Sequence, residues 1–115
     1  MDRLRLGVDL VAVAQVERLS ARWGERFLRR VFTPEELEGA LQRRRCHEHL
    51  AALIAAKEAL IKAYGSFIPW REIEVSHLET GKPQFTRLPP EFKGKQVELS
   101  LSHAAGLAIA VVLVS

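Results

Sequence analysis

The 115-residue chain, 13.0 kDa and 48% hydrophobic, has room for one domain spanning 1–115 and a modest core, and at this size it would gain stability from a partner subunit. Seventeen Lys and Arg against fourteen Asp and Glu give a net charge of +3 and a pI near 9.4, a mild basic excess that attracts anions without the polybasic character of a nucleic-acid tail. A lone Cys46 excludes an internal disulfide, the longest apolar run (Leu107 to Val114) is far short of the ~20 residues of a membrane span, and no secretory leader pattern opens the chain; the expectation is a cytoplasmic protein with no membrane role.

In chain order, Leu4, Leu6, Val8 and Leu10 alternate with Arg5, Gly7, Asp9 and Val11, which predicts a strand whose Leu/Val face is buried and whose Asp9 points the other way. From Gln15 to Arg30 apolar residues recur at threes and fours (Val16, Leu19, Trp23, Phe27), predicting an amphipathic helix broken near Gly24. Arginines occupy its other side. Thr33-Pro34-Glu35-Glu36 opens a second helix: Thr33 can cap, Pro34 suits the first helical position, and the two Glu favour the positive end of the dipole; it is expected to run to about Arg44. His47 to Ala63 is free of Gly and Pro, rich in Ala, Leu, Glu and Lys, and followed by Gly65 as a stop, the surest helix in the chain.

Beyond it, Glu72 to Val75 alternates as a strand, residues 79–83 read as a turn, and Gln84-Phe85-Thr86 as a returning strand. Pro89-Pro90 opens a loop or short helical turn. Val97 to Ser102 and Leu107 to Val114, joined through His103-Ala104-Ala105-Gly106, predict a C-terminal hairpin with His103 at its tip. The order points to an α+β domain with helices packed on one side of an antiparallel sheet.

Glu58 and Lys62 lie four apart on the long helix and share a face, with Lys57 about 100° away. Such a pair also serves as a plain surface ion pair, but Ala55, Ala56, Ala59 and Ala63 around it allow close approach of a ligand or another backbone. Asp9 in an apolar strand needs solvent or a partner. With Glu58 it could hold a hard cation such as Mg²⁺, which takes a few carboxylates and completes its octahedron with water and phosphate oxygens. His47 and His49 lack a third zinc ligand and are expected to be solvated, and His77 carries no signal.

Gly7-Val8-Asp9-Leu10-Val11, Phe32-Thr33-Pro34-Glu35-Glu36, the run from Ala55 to Gly65 with its Lys57-Glu58-Ala59 and Lys62-Ala63, Gly81-Lys82-Pro83 and Leu101-Ser102-His103 together resemble the holo-acyl-carrier-protein synthases in order and spacing over nearly the whole chain. The resemblance implies the 4′-phosphopantetheinyl transferase fold, and transfer of the phosphopantetheine arm of coenzyme A to a serine of apo acyl carrier protein with release of adenosine 3′,5′-bisphosphate. It also implies a homotrimer with active sites between subunits. By position, Asp9 and Glu58 would hold Mg²⁺, and Lys62 would steady the phosphate and favour departure of the leaving group. Glu58, directly or through metal-bound water, would help remove the serine proton. Lys57, Lys62, Ser102 and His103 would contact the nucleotide phosphates, with Gly81, Lys82 and Pro83 forming part of the nucleotide pocket.

Acyl carrier proteins are acidic, so Arg18, Arg22 and Arg26 would steer the protein substrate. The chain departs from the family pattern at Gln15 and Leu53, where arginine is usual, and at Ala104, where Ser or Thr is usual; each removes a polar contact. One alternative is a binding module of the same fold that holds coenzyme A or carrier protein but turns over slowly. A small nucleic-acid-binding domain, suggested by the arginine clusters, has no reading motif or stacking aromatics to support it.

Overall fold

The computed structural model describes residues 3–115. Strand β1 (Arg5–Ala12) leads without a loop into helix α1 (Val13–Trp23), Gly24 turns the chain at φ 55°, and α2 (Glu25–Val31) follows. Helix α3 (Pro34–Leu41) precedes the 19-residue α4 (Cys46–Tyr64), which ends at Gly65 in the left-handed conformation (φ 93°). A 3₁₀ turn (Trp70–Glu72), the short strands β2 (Glu74–His77) and β3 (Pro83–Arg87), a second 3₁₀ turn (Pro90–Phe92) and the hairpin β4 (Val97–Ala104) and β5 (Leu107–Val114) complete the chain. The main sheet is antiparallel in the order β1-β5-β4, and β2 and β3 form a separate two-stranded sheet.

The apolar helix α4 packs across the main sheet and supplies much of the core. Its approach is set by Gly7: a Cβ there would collide with the carbonyl oxygen of Ala59 and stand 2.9 Å from the Ala63 amide nitrogen. Gly7 and Val11 therefore face α4 with Ala108, Ala110 and Val112, all buried. This reverses the expected sidedness of β1. Leu6, Val8 and Leu10 point to the open side, where they pair with Leu113, Val111 and Ile109 of β5, and all six are exposed in the single chain. Asp9 shares the helix-facing side, with 14% of its side chain exposed. Alternation identifies two faces; which one turns inward is decided by the close approach at Gly7.

Three expected boundaries shift. Helix α3 stops at Leu41, short of Arg44; β2 starts at Glu74, after the 3₁₀ turn; and His103 lies within β4, paired with Ala108, ahead of a two-residue turn at Ala105 and Gly106. Both turn residues have positive φ (52° and 76°), as a type I′ hairpin turn requires. That turn also reaches α1, whose N-cap Ala12 has no capping side chain: the Gly106 carbonyl accepts from the Val13 N–H at 2.9 Å.

One polar cluster runs through the core. Thr33 and Glu36 form a reciprocal capping box at the start of α3, the Thr33 N–H donating to Glu36 Oε1 (2.9 Å) and the Glu36 N–H to Thr33 Oγ1 (3.2 Å). Glu36 does more than cap. Its Oε1 also accepts from Lys57 Nζ at 2.7 Å, and its Oε2 accepts from the Val75 N–H at 2.8 Å. Lys57 Nζ donates further to the carbonyls of Val31 (2.8 Å) and Trp70 (3.0 Å), so one ammonium ties α4 to the end of α2, the start of α3 and the first 3₁₀ turn. Both side chains of the pair are 0% exposed.

Candidate active site

Asp9 and Glu58 line one cavity of about 360 Å³ between β1, α1, α2, α4 and the first 3₁₀ turn. Asp9 arrives from the helix-facing side of β1, Glu58 from the half-buried flank of α4. Lys62, one turn further along α4, extends its ammonium to Asp9 Oδ1 (2.9 Å) and to the Val8 carbonyl (3.1 Å). The helical spacing of Glu58 and Lys62 thus serves a meeting with β1: Lys62 pairs with Asp9. Burial, and then the charge of Asp9, push the Glu58 carboxyl above its ordinary range, with Lys62 acting in the opposite direction. The remaining lining is largely apolar, from Val11, Val16, Leu19, Phe27, Ile54 and Trp70.

These residues suit a hard divalent cation. Two carboxylates share a partly desolvated cavity, so a cation would offset the burial and, after it, the Asp9 charge that raise the Glu58 carboxyl. Among the described residues no group of three or more His, Cys, Asp and Glu converges, which leaves most of an octahedron to water and to phosphate oxygens of a bound substrate. That donor set matches Mg²⁺ better than a closed zinc site.

The other expected ligand contacts lie elsewhere. Gly81, Pro83 and His103 line a second, basic cleft of about 490 Å³ with Arg43, Arg44, Arg45, Glu48, His49 and His77. His103 Nδ1 stands 3.3 Å from Glu48 Oε1. Lys82 is exposed nearby, its ammonium 3.2 Å from Glu98 Oε1. Ser102 is on the opposite face of β4 from His103, paired with Ile109 on the open side of the sheet, because successive strand residues alternate. His49 is half-buried against His77, ring centroids 5.3 Å apart, rather than solvated. Burial, Arg43 and His77 hold its imidazole down at about 4.

Lys57 requires a correction. Its ammonium is enclosed in the core with three acceptors and faces neither cleft, so it drops out of the phosphate-contacting residues. Leu53 is likewise a core residue, 1% exposed, whereas Gln15 lines the Asp9–Glu58 cavity and Ala104 is exposed at the end of β4. Arg18, Arg22 and Arg26 are exposed on α1 and α2, with the Arg22 guanidinium 5.1 Å from the centre of the Trp23 ring. Arg26 borders an apolar groove with Leu19, Trp23 and Phe27, and Leu19 and Phe27 also line the Asp9–Glu58 cavity. Sequence reasoning missed Trp70, which nothing local distinguishes from a core aromatic, and Glu48, whose link to His103 spans more than fifty residues.

Residues 5–112 match the family model described as the 4′-phosphopantetheinyl transferase superfamily. The holo-[acyl-carrier-protein] synthase of Thermus thermophilus is 43% identical, over 94% of this chain and 90% of that protein, and the one from Chloroherpeton thalassium 35%, over 96% and 97%. The crystal structure of the Neisseria meningitidis holo-[acyl-carrier-protein] synthase superposes with a TM-score of 0.88 at 34% identity, covering 96% of this chain and 97% of the other. The Helicobacter pylori holo-[acyl-carrier-protein] synthase in complex with coenzyme A gives 0.85 at 31%, covering 96% and 99%. Motif order, the fold around Gly7 and α4, and likeness over nearly the full length agree: the chain belongs to the 4′-phosphopantetheinyl transferase superfamily, among its holo-acyl-carrier-protein synthases.

Proposed function

We propose that this chain transfers the 4′-phosphopantetheine arm of coenzyme A to a serine hydroxyl of apo acyl carrier protein, releasing adenosine 3′,5′-bisphosphate. The observation that carries the reading is the meeting of Asp9 and Glu58 in one largely apolar cavity, with Lys62 paired to Asp9, in a chain whose relatives bear that activity in their names. The serine oxygen attacks the phosphorus that carries the pantetheine arm, and the bond from that phosphorus to the bridging oxygen breaks. Glu58, whose carboxyl is raised by burial and by Asp9, accepts the serine proton. Lys62, with 55% of its side chain exposed, swings from Asp9 to the pyrophosphate and stabilises the charge that builds on the leaving oxygen. Asp9 and Glu58 would hold Mg²⁺, which when bound supplies charge neutralisation at the pyrophosphate.

The working unit in this reading is a homotrimer with its sites between subunits. Two observations favour it. The open sheet face carries Leu6, Val8, Leu10, Leu107, Ile109, Val111 and Leu113, seven exposed apolar side chains on one contiguous face, the kind of surface that marks an interaction site. Of the residues expected at the nucleotide, Gly81, Pro83 and His103 line a cleft that shares no residue with the carboxylate cavity, and Ser102 lies on that same open face. In this reading a second copy seated on the face would complete the site, the basic cleft of one subunit serving the carboxylates of the next. The exposed arginines of α1 and α2 attract the acidic carrier protein, and the cytoplasm, where fatty acid synthesis consumes holo carrier protein, is the compartment of action.

The first test is mass spectrometry of apo carrier protein incubated with this protein, coenzyme A and Mg²⁺, with an EDTA control. A metal-dependent gain of roughly 340 Da is expected, and Glu58→Gln abolishes it while the fold persists. Undiminished transfer by Glu58→Gln would remove Glu58 from the reaction. Light scattering of wild type and Val8→Arg tests the assembly: the wild type is trimeric and the variant monomeric and inactive, whereas a monomeric wild type with full transfer would overturn the shared site. Coenzyme A binding without transfer to any carrier protein would favour the binding-module reading.

A further inference from the structure

Trp70 and Phe67 have no part in the chemistry described so far, yet they stand at its edge. The Trp70 carbonyl is fixed from behind by Lys57 Nζ at 3.0 Å, and Trp70 lines the cavity that holds Asp9 and Glu58. Phe67, in the segment between α4 and the 3₁₀ turn, meets the Trp70 ring edge-to-face, centroids 6.4 Å apart and planes at 81°. It is 66% exposed, so the ring pair stands at the surface of the fold and not in its core.

The chemistry of the substrate says what the Trp70 side of the cavity can receive. In phosphopantetheine, the carbon that bears the phosphate ester is bonded directly to a quaternary carbon with two methyl groups. A site that grips this phosphate must therefore offer apolar surface within a few bond lengths of its charged groups. The Asp9–Glu58 cavity has that composition: apart from the two carboxylates and Gln15 its wall is apolar, and it includes Ile54 and Trp70.

We infer that Trp70, braced by Phe67 and anchored through its backbone by Lys57, is the wall against which the pantoyl methyl groups of the coenzyme A arm pack, making it a specificity-determining residue for the arm. The inference rests on the reading of this cavity as the transfer site. Edge-to-face packing holds the indole at a fixed angle, and the buried ammonium keeps the 3₁₀ turn from drifting, so the arm meets a preformed surface.

Calorimetric titration of the full-length protein with Mg²⁺ tests it, using coenzyme A and, separately, adenosine 3′,5′-bisphosphate, which lacks the arm. Trp70→Ala weakens coenzyme A binding about tenfold, the scale of two buried methyl groups, while the bisphosphate changes less than about twofold. Phe67→Ala shows the same selectivity at smaller amplitude without disturbing the core, and Trp70→Phe restores most of the loss. An equal loss for both ligands, no loss for either, or a raised KM for carrier protein with coenzyme A binding intact would overturn the inference; the last outcome would give the wall to the protein substrate. Wild-type protein that shows the coenzyme A selectivity but transfers nothing would sink the transfer reading and leave the wall standing.

Discussion

Replacing Lys57 with Met keeps most of the length of the side chain and deletes the charge at the centre of the core network. Glu36 then remains fully buried with its ion partner gone, holding only the Thr33 and Val75 amides, while the carbonyls of Val31 and Trp70 lose their donor. Removing one member of a buried pair costs about 3–5 kcal/mol, against a total of about 5–15 kcal/mol for a domain of this kind. Equilibrium urea unfolding followed by circular dichroism measures the loss, repeated over a range of protein concentrations because assembly adds to apparent stability. In the cycle with Glu36→Gln, the double variant is less destabilised than the sum of the two singles by about 2 kcal/mol or more. A single-variant cost below about 1 kcal/mol, or additivity within about 0.5 kcal/mol, would refute the claim that this pair holds the core. Affinity for adenosine 3′,5′-bisphosphate, measured where the variant is folded, stays within about twofold; a tenfold loss would return Lys57 to the phosphate site.

Gly7→Ala drives a methyl group into the Ala59 carbonyl and forces α4 off the sheet; a loss of about 3 kcal/mol or more is expected in thermal melts, and an unaltered melt would contradict the close approach. His49 titrates at about 4 in the folded chain against 6.5 unfolded, so the unfolded state binds more protons between those values: stability is complete above pH 6.5 and falls as the pH drops towards 4. Screening at this half-buried site reduces the effect to about 1–2 kcal/mol, and His49→Gln flattens the slope of stability against pH in that window; an unchanged slope would assign the titration elsewhere. Ala105 sits at φ 52°, where a Cβ is strained, so Ala105→Asn raises stability by about 0.5–1 kcal/mol, and a lower melting temperature would argue against the turn as described.

The sequence signals that succeeded are local. Gly24 breaks the first amphipathic run, Thr33 and Pro34 start α3, Gly65 ends α4, and the alternation on both sides of Ala105-Gly106 gives the hairpin. Each rests on backbone preferences within a few residues. The failures are long-range. β1 presents its bulkier apolar residues to the open side, and only the packing of Gly7 on Ala59, fifty-two residues away, decides the matter. A lysine on an alanine-rich helix reads as a surface charge until Val31, Glu36 and Trp70 are seen around it. Asp9, Glu58 and Lys62 were legible as candidates from their motifs, and their meeting depends on the same Gly7 contact that inverts the strand.

The strand order has a consequence for how the molecule comes into being. β5 is central in the main sheet yet follows every other element in the chain, and its ladder to β1 joins Arg5 to Val114 and Ala12 to Leu107. During synthesis β1 and all four helices leave the ribosome before the strand that joins β1 to β4 exists, so α4 has no completed sheet to rest on until the end. Closure of a loop of nearly the whole chain is expected to limit folding, and the hydrogen-bonding edge of β1 waits unpaired through the interval. Shortening β5 from its far end removes the Arg5–Val114 rungs first and lengthens that exposed period, so C-terminal nicks are expected to lower yield through aggregation well before they alter the carboxylates.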